Sequence, residues 1–457
     1  MMKRPHRISI LEKRWRVLQS YRRGTTKTTA QVCSAILICL SGLAMAQPGS
    51  LDSTFATGGI FVTHDTLAFD AVADAVALQG DGKIVVAGEI SSLAGVVRLN
   101  ANGTLDSSFG AGGMVTINVP SGLGGGVQVI GVAIQIDGKI IAGISTINSD
   151  GSESFSLARL NPNGSLDDAF GSAGLVTTFP FGQQRSPTVL ALQPDGKILL
   201  AGAGVMARYD SNGQLDPSFG SGGLALVTAF TVRAIALQPN GQILVGTGGP
   251  ERDTFPPSTQ TLSVAGLIAR YNPNGSLDTS FGASGQVASV APVSAIAVQS
   301  DGMIVAAGGI TSKLVPPPAG NDTGFSLVRY HPNGSIDSTF GRRGVAITDF
   351  GQSAPLAEVF ALALQSNGDL VAAGVAGQKG LQFAPSSFGL ARYTIIGLLD
   401  TSFGSAGKVT TAFGTKTASI SALVLQSDGK IVVAGNSGAS TPQGFVNNIV
   451  VVRYLPD

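Results

Sequence analysis

Short apolar runs alternate with polar turns along nearly the whole chain, and the order of the runs repeats. Each unit contains four kinds of run. Examples of the first to the fourth kind, taken from different units, are residues 114–116, 76–79, 83–88 and 157–160. All are rich in β-branched residues and bounded by Gly, Asn or Asp, and none carries a helical period. The pattern therefore predicts four β-strands in each unit.

An Asp-Gly or Asn-Gly pair separates the second run from the third in every unit. Its first residue stands at positions 81, 137, 195, 240, 301, 367 and 428. Both central residues of a type I′ turn need positive φ, which Asn, Asp and Gly tolerate best. We therefore expect a tight type I′ hairpin here.

The fragment Leu/Ile-Asp-x-x-Phe occurs seven times, with 49 to 63 residues between successive aspartates. Seven units of four antiparallel strands predict an all-β chain folded as a seven-bladed β-propeller. A β-solenoid is the alternative, but solenoids need distinct terminal units. Here the first and last units resemble the others, as a closed ring requires.

An arginine stands in the last run of every unit, and six of the seven are followed by the repeat aspartate at a spacing of eight. The Arg–Asp sets are Arg98 and Asp106, Arg159 and Asp167, Arg208 and Asp216, Arg270 and Asp278, Arg329 and Asp337, Arg392 and Asp400, with Arg453 and Asp52 left over at opposite ends. Fixed spacing indicates a rigid connector. We predict a fork-shaped ion pair at each blade junction, with Arg453 meeting Asp52 to close the ring.

The first 46 residues differ in composition from the rest. They hold nine Lys/Arg and one acid, then the apolar run 32–40 and Ala44-Met45-Ala46. A basic region, a short apolar core and an A-x-A site are typical of a secretory signal peptide. We expect cleavage near Ala46-Gln47, by the general or the twin-arginine route, and a secreted, periplasmic or cell-surface propeller spanning 47–457.

Removing this leader changes the charge from +1 to −7, with 20 basic and 27 acidic residues. A mildly acidic surface argues against nucleic acid or anionic lipid as a partner. Both cysteines, Cys33 and Cys39, lie in the leader, so the remaining chain has no disulfide or thiol chemistry. We expect a monomer that is not inserted in a membrane.

The recurring text Asn-Pro-Asn-Gly-Ser-Leu-Asp-x-Ser-Phe-Gly, together with Gln-x-Asp-Gly-Lys-Ile, resembles the delta-60 repeat. This is a bacterial repeat family of about 60 residues per unit, propeller-like and of unknown function, and the resemblance covers residues 49–457. It implies fold and secretion, and it brings no catalytic residues.

Motif chemistry is sparse. The connector superficially resembles an oxygen-rich Ca²⁺ loop, but His331 and Ile396 occupy ligand positions, so we expect no cofactor, with calcium as the alternative. His64 precedes Asp65 at a strand end, where adjacent side chains point apart. No HExxH, GxSxG or phosphate-loop motif occurs, so the protein is more an interaction scaffold than an enzyme.

The uniform Asp-Gly turn and the connector should share one face of the ring, and the variable loops the other. Irregular loops on a rigid scaffold are where recognition usually occurs. The predicted recognition residues are Glu251, Arg252, Asp253, Lys313, Asp322, Lys379, Gln382 and Phe383. The channel on the connector side is the alternative location.

Two functions from different classes follow. The first is a binding or interaction scaffold that uses its variable loops to hold a protein or glycan. The second is an extracellular carbohydrate- or polymer-active enzyme with a carboxylate-based site near the central channel. Carboxylates with raised pKa in one cleft would favour the enzyme. A structural surface protein is a third interpretation.

Overall fold

In a computed structural model of the chain, every regular element of the described part is a β-strand. The structure describes residues 47–63, 70–119, 127–147, 153–178, 187–202, 204–227, 231–248, 266–289, 291–310, 324–351, 356–377, 386–414, 416–441 and 444–456. Residues 47–457 form one unit. None of these described segments contains a helix of the length and hydrophobicity needed to cross a bilayer.

Seven four-stranded antiparallel sheets make up this unit, as predicted for a seven-bladed β-propeller. Six blades use consecutive strands. Blade 1 is β2(Ala71–Leu78), β3(Ile84–Ile90), β4(Leu93–Leu99) and β5(Met114–Ile117); blade 2 is β6(Val127–Ile134), β7(Ile140–Ile147), β8(Glu153–Leu160) and β9(Leu175–Thr178); blade 3 is β10(Pro187–Leu192), β11(Ile198–Gly202), β12(Val205–Tyr209) and β13(Leu224–Leu226).

The remaining blades follow in chain order. Blade 4 is β14(Val232–Leu237), β15(Ile243–Gly248), β16(Gly266–Tyr271) and β17(Gln286–Ser289); blade 5 is β18(Ala295–Val298), β19(Ile304–Ile310), β20(Gly324–Tyr330) and β21(Val345–Thr348); blade 6 is β22(Leu356–Leu364), β23(Leu370–Gly377), β24(Ser386–Tyr393) and β25(Lys408–Ala412); blade 7 is β26(Thr417–Leu425), β27(Ile431–Thr441), β28(Gly444–Tyr454) and β1(Ile60–Val62).

Blade 7 closes the ring, because its outermost strand comes from the start of the unit. Strand β1 pairs antiparallel with β28, with Phe61 opposite Val451. The first strand of each blade contacts the first strand of the next in cyclic order, from β2 through β26 and back to β2. These seven inner strands therefore surround the axis of the ring.

The blades are offset by one strand from the repeat. The run that follows each Phe-Gly, such as β5, is the outer strand of the blade that precedes it, not the first strand of a new blade. The Arg–Asp connector is consequently a hairpin loop inside a blade, between its third and fourth strands. The prediction that the connector links two blades is therefore wrong, because the connector joins two strands of the same blade.

The Asp-Gly hairpin also differs from the predicted type I′ turn. Gly82 has a φ of +83°, whereas Asp81 does not have a positive φ. The Gln79 N–H donates a hydrogen bond to Lys83 O, and the Asp81 carboxylate accepts a hydrogen bond from the Lys83 N–H. This is a three-residue loop, a type I turn closed by a left-handed glycine. The aspartate serves as a cap for the backbone and does not need positive φ.

The hydrophobic core lies between the blades. Val85, Ala87 and Val96 of blade 1 pack against Ile140 and Ala142 of blade 2, and all five are almost fully buried. Middle strands are buried on both sides, which explains why their sequences are continuous apolar runs without alternation. Each blade stabilises its neighbours by this burial.

Candidate functional site: the connector face and the central cavity

Every Arg–Asp set of the repeat forms an ion pair, which is buried in six blades and half-buried at Asp400 in blade 6. In blade 1, Arg98 Nε donates to Asp106 Oδ2 at 2.8 Å, and Arg98 Nη2 lies 2.8 Å from the same oxygen. The Nε–Oδ2 distance is 2.7–2.9 Å in all seven blades. The predicted Arg–carboxylate contact is therefore present in each blade, and Oδ2 is the carboxylate oxygen that accepts from Nε.

The second carboxylate oxygen caps the turn that follows it. Asp106 Oδ1 accepts from the backbone N–H of Ser108 at 3.1 Å and from its hydroxyl at 2.7 Å. The Ser108 hydroxyl, together with Lys83 and Arg98, holds the pKa of Asp106 well below its usual range despite burial. In Asp337, burial opposes ionisation, but hydrogen bonds from Thr339 and Arg329 lower the pKa to about 2.

Each guanidinium also joins two blades. Arg98 Nη1 donates to Pro162 O of blade 2 at 2.5 Å, and Arg159 Nη1 donates to Ser211 O of blade 3 at 2.6 Å. Its flat face lies over a buried phenylalanine of the repeat, with Cζ 4.4–4.9 Å from the ring centroid across the seven blades. Each arginine thus connects two blades by donating a hydrogen bond to a backbone carbonyl of the next blade.

The two ends of the 47–457 unit supply the seventh set. Arg453 Nε donates to Asp52 Oδ2 at 2.9 Å, and Arg453 Nη1 donates to Ala101 O of blade 1 at 2.6 Å. Arg453 is 5% exposed and Asp52 3%. The structure therefore places these two residues in contact at the ring closure, as the orphaned positions in the sequence indicate.

The Asp-Gly turns and the connectors lie on one face, hereafter the connector face. Lys83 in the turn reaches Asp106 in the connector, with Nζ 3.0 Å from Oδ2. Side-chain oxygens of the connector serve the loop itself, since Asn102 Oδ1 accepts from the N–H and hydroxyl of Thr104. His331 is half-buried, and its Nε2 lies 4.0 Å from Asp337 Oδ1. These contacts show that charged groups of the turn and of the connector pair with each other.

Among the described residues, no group of three or more His, Cys, Asp or Glu is placed to hold a metal ion. His64 lies outside the described residues, as do the leader 1–46 and all the predicted recognition residues. These last are Glu251, Arg252, Asp253, Lys313, Asp322, Lys379, Gln382 and Phe383.

A cavity of about 510 Å³ lies where the seven inner strands meet, and all seven blades contribute to its wall. We call it the central cavity. Its wall comprises Asp74, Gln128, Val129, Ile130, Thr188, Thr231, Val232, Arg233, Ser294, Phe360, Ser419, Ile420 and Ser421. Most of these belong to the first half of an inner strand, at the end of the strand that is opposite the connector face.

In six blades, a β-bulge presents one residue of the inner strand to this cavity. In blade 1 the pairing passes from Ala73–Gly88 to Ala75–Ala87 and leaves Asp74 as the extra residue. The same shift occurs in five other blades, and in blade 5 the equivalent Ser294 directly precedes β18. We call the six bulged residues and Ser294 the seven bulge residues: Asp74, Ile130, Thr188, Arg233, Ser294, Phe360 and Ser421. Bulges commonly redirect side chains in this way.

Sequence reasoning missed these residues, although a signal was present. Each bulge residue stands five positions before the repeat glutamine, as Asp74 does before Gln79 and Arg233 before Gln238. Where the framework repeats Arg and Asp in every unit, this position holds Asp, Ile, Thr, Arg, Ser, Phe and Ser. A fixed position with unlike side chains marks the place where the blades are specialised.

A glycine opposite the bulge allows the two strand backbones to approach closely. A Cβ at Gly88 would lie 1.8 Å from Val72 O, and one at Gly374 would lie 1.9 Å from Glu358 O. Such approaches exclude any other residue without a backbone shift. The glycine that ends the Val-Ala-Gly or Ala-Ala-Gly sequence of the third run therefore permits the bulge beside the cavity.

Two acidic groups near the cavity resist ionisation. Burial, reinforced by the charge of Glu89, raises the pKa of Asp74 to about 7. Burial raises the pKa of Glu358 as well, while Arg233 opposes this shift. Arg233 Nη1 lies 3.9 Å from Glu358 Oε1, a loose pair compared with the framework arginines. Raised pKa values of this kind are frequent at functional sites.

Six segments of the chain match a family described as "Domain of unknown function (DUF5122) beta-propeller". The matched residues are 79–109, 135–170, 193–219, 263–281, 299–340 and 426–457. The chain is similar to a β-propeller repeat family of unknown function. A search of curated proteins gave no match.

Solved structures resemble the chain only distantly. A structure described as the extracellular domain of a hybrid two-component system from B. thetaiotaomicron shares 15% identity with a TM-score of 0.41; the match covers 88% of this chain and 42% of that one. This chain thus spans less than half the length of that protein.

Two further structures have similar scores. An unknown-function protein from Dyadobacter fermentans shares 13% identity, 87% and 100% coverage of this and that chain, and a TM-score of 0.40. An alpha-l-arabinofuranosidase from Fusarium graminearum shares 9% identity, 89% and 98% coverage, and a TM-score of 0.37. Similarity at this level says nothing about what the present chain binds.

Proposed function

We propose that this protein is a secreted or periplasmic delta-60-type repeat protein that acts as a ligand-binding scaffold. Its binding surface comprises the central cavity, together with the variable loops predicted from the sequence. The observation that carries the proposal is the contrast between two fixed positions. The Arg–Asp framework is the same in all blades, whereas the bulge position that faces the cavity is almost never repeated.

Physical chemistry supports this division of roles. A ring needs equivalent contacts at every blade interface, so the residues that make them should be uniform. A ligand site needs different groups around its wall, because a small ligand presents different chemistry on each side. The central cavity has this character, with one cation, one acid, several hydroxyls and one aromatic ring.

A binding screen with glycans and metabolites tests the proposal on the purified protein. Ser421→Phe should abolish binding of the hits, because the larger side chain fills the cavity. The variant should fold, because the equivalent position of blade 6 already accommodates Phe360. Ser427→Phe is the matched control, because Ser427 is exposed in the Asp-Gly turn of the same blade. Hits that survive Ser421→Phe, or a screen without hits, would contradict the proposal.

Catalysis is the second candidate function, favoured by one observation. Asp74 has a pKa of about 7 and lines the cavity, so it can carry a proton at neutral pH and donate it. The corresponding enzyme would hydrolyse a polysaccharide or glycoside. Reducing-sugar release from a polysaccharide set by the parent protein, lost in Asp74→Asn, would support it; equal release by both would exclude Asp74 as the acid.

Export is part of the proposal and has its own test. The basic region, apolar run and A-x-A site of residues 1–46 support cleavage after Ala46. Cell fractionation with N-terminal sequencing should give an exported chain that begins at Gln47. A cytosolic chain that retains its leader would contradict this part of the proposal without touching the binding site.

A further inference from the structure

Arg233 is the side chain of the central cavity with the most unused hydrogen-bonding capacity. A guanidinium carries five N–H donors. Of the charged groups in the described segments, Glu358 is the one near it, and the 3.9 Å separation exceeds a hydrogen bond. By contrast, Arg98 on the connector face reaches its carboxylate at 2.8 Å and a carbonyl at 2.5 Å. Arg233 is also 38% exposed.

An arginine in this state is suited to a carboxylate ligand. The planar guanidinium matches the two oxygens of a carboxylate, and a pair of charge-assisted hydrogen bonds is stronger than a neutral one. Glu358 would compete for the same donors, since it is the neighbouring acid. A bound carboxylate would replace this loose partner with a closer one.

The rest of the wall fits a ligand rich in hydroxyl groups. Thr231 and Ser421 contribute hydroxyls and Gln128 an amide, which can donate and accept. The hydroxyls of Thr188 and Ser419 donate to backbone carbonyls and can still accept a hydrogen bond. Phe360 offers the aromatic surface on which the C–H face of a sugar ring can pack. A volume of about 510 Å³ lies within the range of small-molecule sites.

Resting on the proposed binding function, we infer that the central cavity binds a sugar acid, a small polyhydroxylated carboxylate, with its carboxylate on Arg233. Its hydroxyls bond the Ser, Thr and Gln side chains of the other blades. Phe360 contacts one face of its ring. The ligand is held non-covalently, and no bond is made or broken.

Calorimetric titration of the purified protein tests the inference with six probes. D-glucuronate and D-galacturonate carry both features, D-glucose and D-galactose lack the carboxylate, and acetate and lactate lack the ring hydroxyls. We expect at least one uronate to bind at least tenfold more tightly than its neutral counterpart and than either simple acid.

Three variants identify the site. Arg233→Gln should weaken the uronate at least tenfold, while Arg342→Gln, at an exposed position of the connector face, should leave binding unchanged. Glu358→Gln should tighten binding severalfold, because the competing acid is removed. A merely structural role of Glu358 predicts weaker binding or none, so this variant separates ligand recognition from loss of fold.

The outcomes separate this inference from the function on which it rests. Neutral sugars that bind as well as uronates, or simple acids that do so, would overturn the sugar acid while leaving a binding cavity in place. Absence of uronate binding would overturn it too. Only a ligand screen without any hit sensitive to Ser421→Phe would overturn the binding function itself.

Discussion

Arg453 and Asp52 form a buried ion pair across 401 residues of sequence, with Nε 2.9 Å from Oδ2. Strand β1 pairs with β28 beside them, so the start and end of the propeller share one sheet. The same pair occurs within one hairpin in every other blade. At the ring closure, the two ends of the 47–457 unit thus make the contact that each other blade makes within one hairpin.

Asp52→Asn should destabilise the protein by about 3–5 kcal/mol, since it leaves a buried guanidinium without its carboxylate. Equilibrium unfolding in urea measures this. Asp428→Asn in the same blade is the control, because that exposed aspartate pairs with Lys430 at the surface and should cost at most about 1 kcal/mol. Similar costs for the two variants would show that closure does not depend on the pair.

Acid should weaken the framework. Hydrogen bonds from Thr339 and the charge of Arg329 outweigh burial and lower the pKa of Asp337 to about 2. A group whose folded pKa is depressed stabilises the fold above its unfolded pKa, near 4, and loses that contribution as pH falls towards 2. The stability difference between the parent and Asp337→Asn should therefore be larger at pH 6 than at pH 2.5.

Urea unfolding at those two pH values gives the comparison. Asp301→Asn, at an exposed Asp-Gly turn where two other units already have Asn, should show little difference at either pH. A penalty for Asp337→Asn that does not change with pH would contradict the role of its charge.

Asp74→Asn should behave in the opposite sense. Burial and the nearby charge of Glu89, itself next to Asp70, raise the pKa of Asp74 to about 7. A raised folded pKa makes the parent lose stability as pH rises from about 4 to about 7. The amide does not ionise, so the melting temperature of the variant should gain on the parent between pH 5 and pH 8. A constant offset would indicate that Asp74 does not titrate in this range.

Gly88→Ala should cost about 1–3 kcal/mol and disturb the bulge at Asp74, because its Cβ would overlap Val72 O. Gly80→Ala in the same blade is the matched control, since nothing lies within 4 Å of that Cβ and the change should stay within about 0.5 kcal/mol. Thermal unfolding compares the two. Equal effects would mean that the bulge tolerates a side chain.

Local patterns predicted much of this molecule. Four runs per unit became four strands, and the fixed spacing of Arg98 and Asp106 became an ion pair of 2.8 Å. These features are local or strictly repeated, so each copy confirms the others. The type I′ turn was wrong because Gly82 alone takes positive φ while Asp81 caps Lys83 N–H. Residue preferences do not distinguish these two loops.

The cavity could not be predicted in the same way. Asp74 and Arg233 lie in different blades and 159 positions apart in the sequence, and only closure of the ring brings them to one cavity. Likewise, burial and neighbouring charges determine the pKa of Asp74, and both depend on how strands from separate units pack.

By itself, the sequence determined the number of blades, the strands within them and the Arg–Asp framework, because these follow from short-range periodicity repeated seven times. Tertiary structure decided that each blade is offset from its repeat and that a bulge directs Asp74, Arg233 and Phe360 inward. It did so because strand pairing and ring closure are long-range contacts: they depend on which units become neighbours and on how closely their backbones approach.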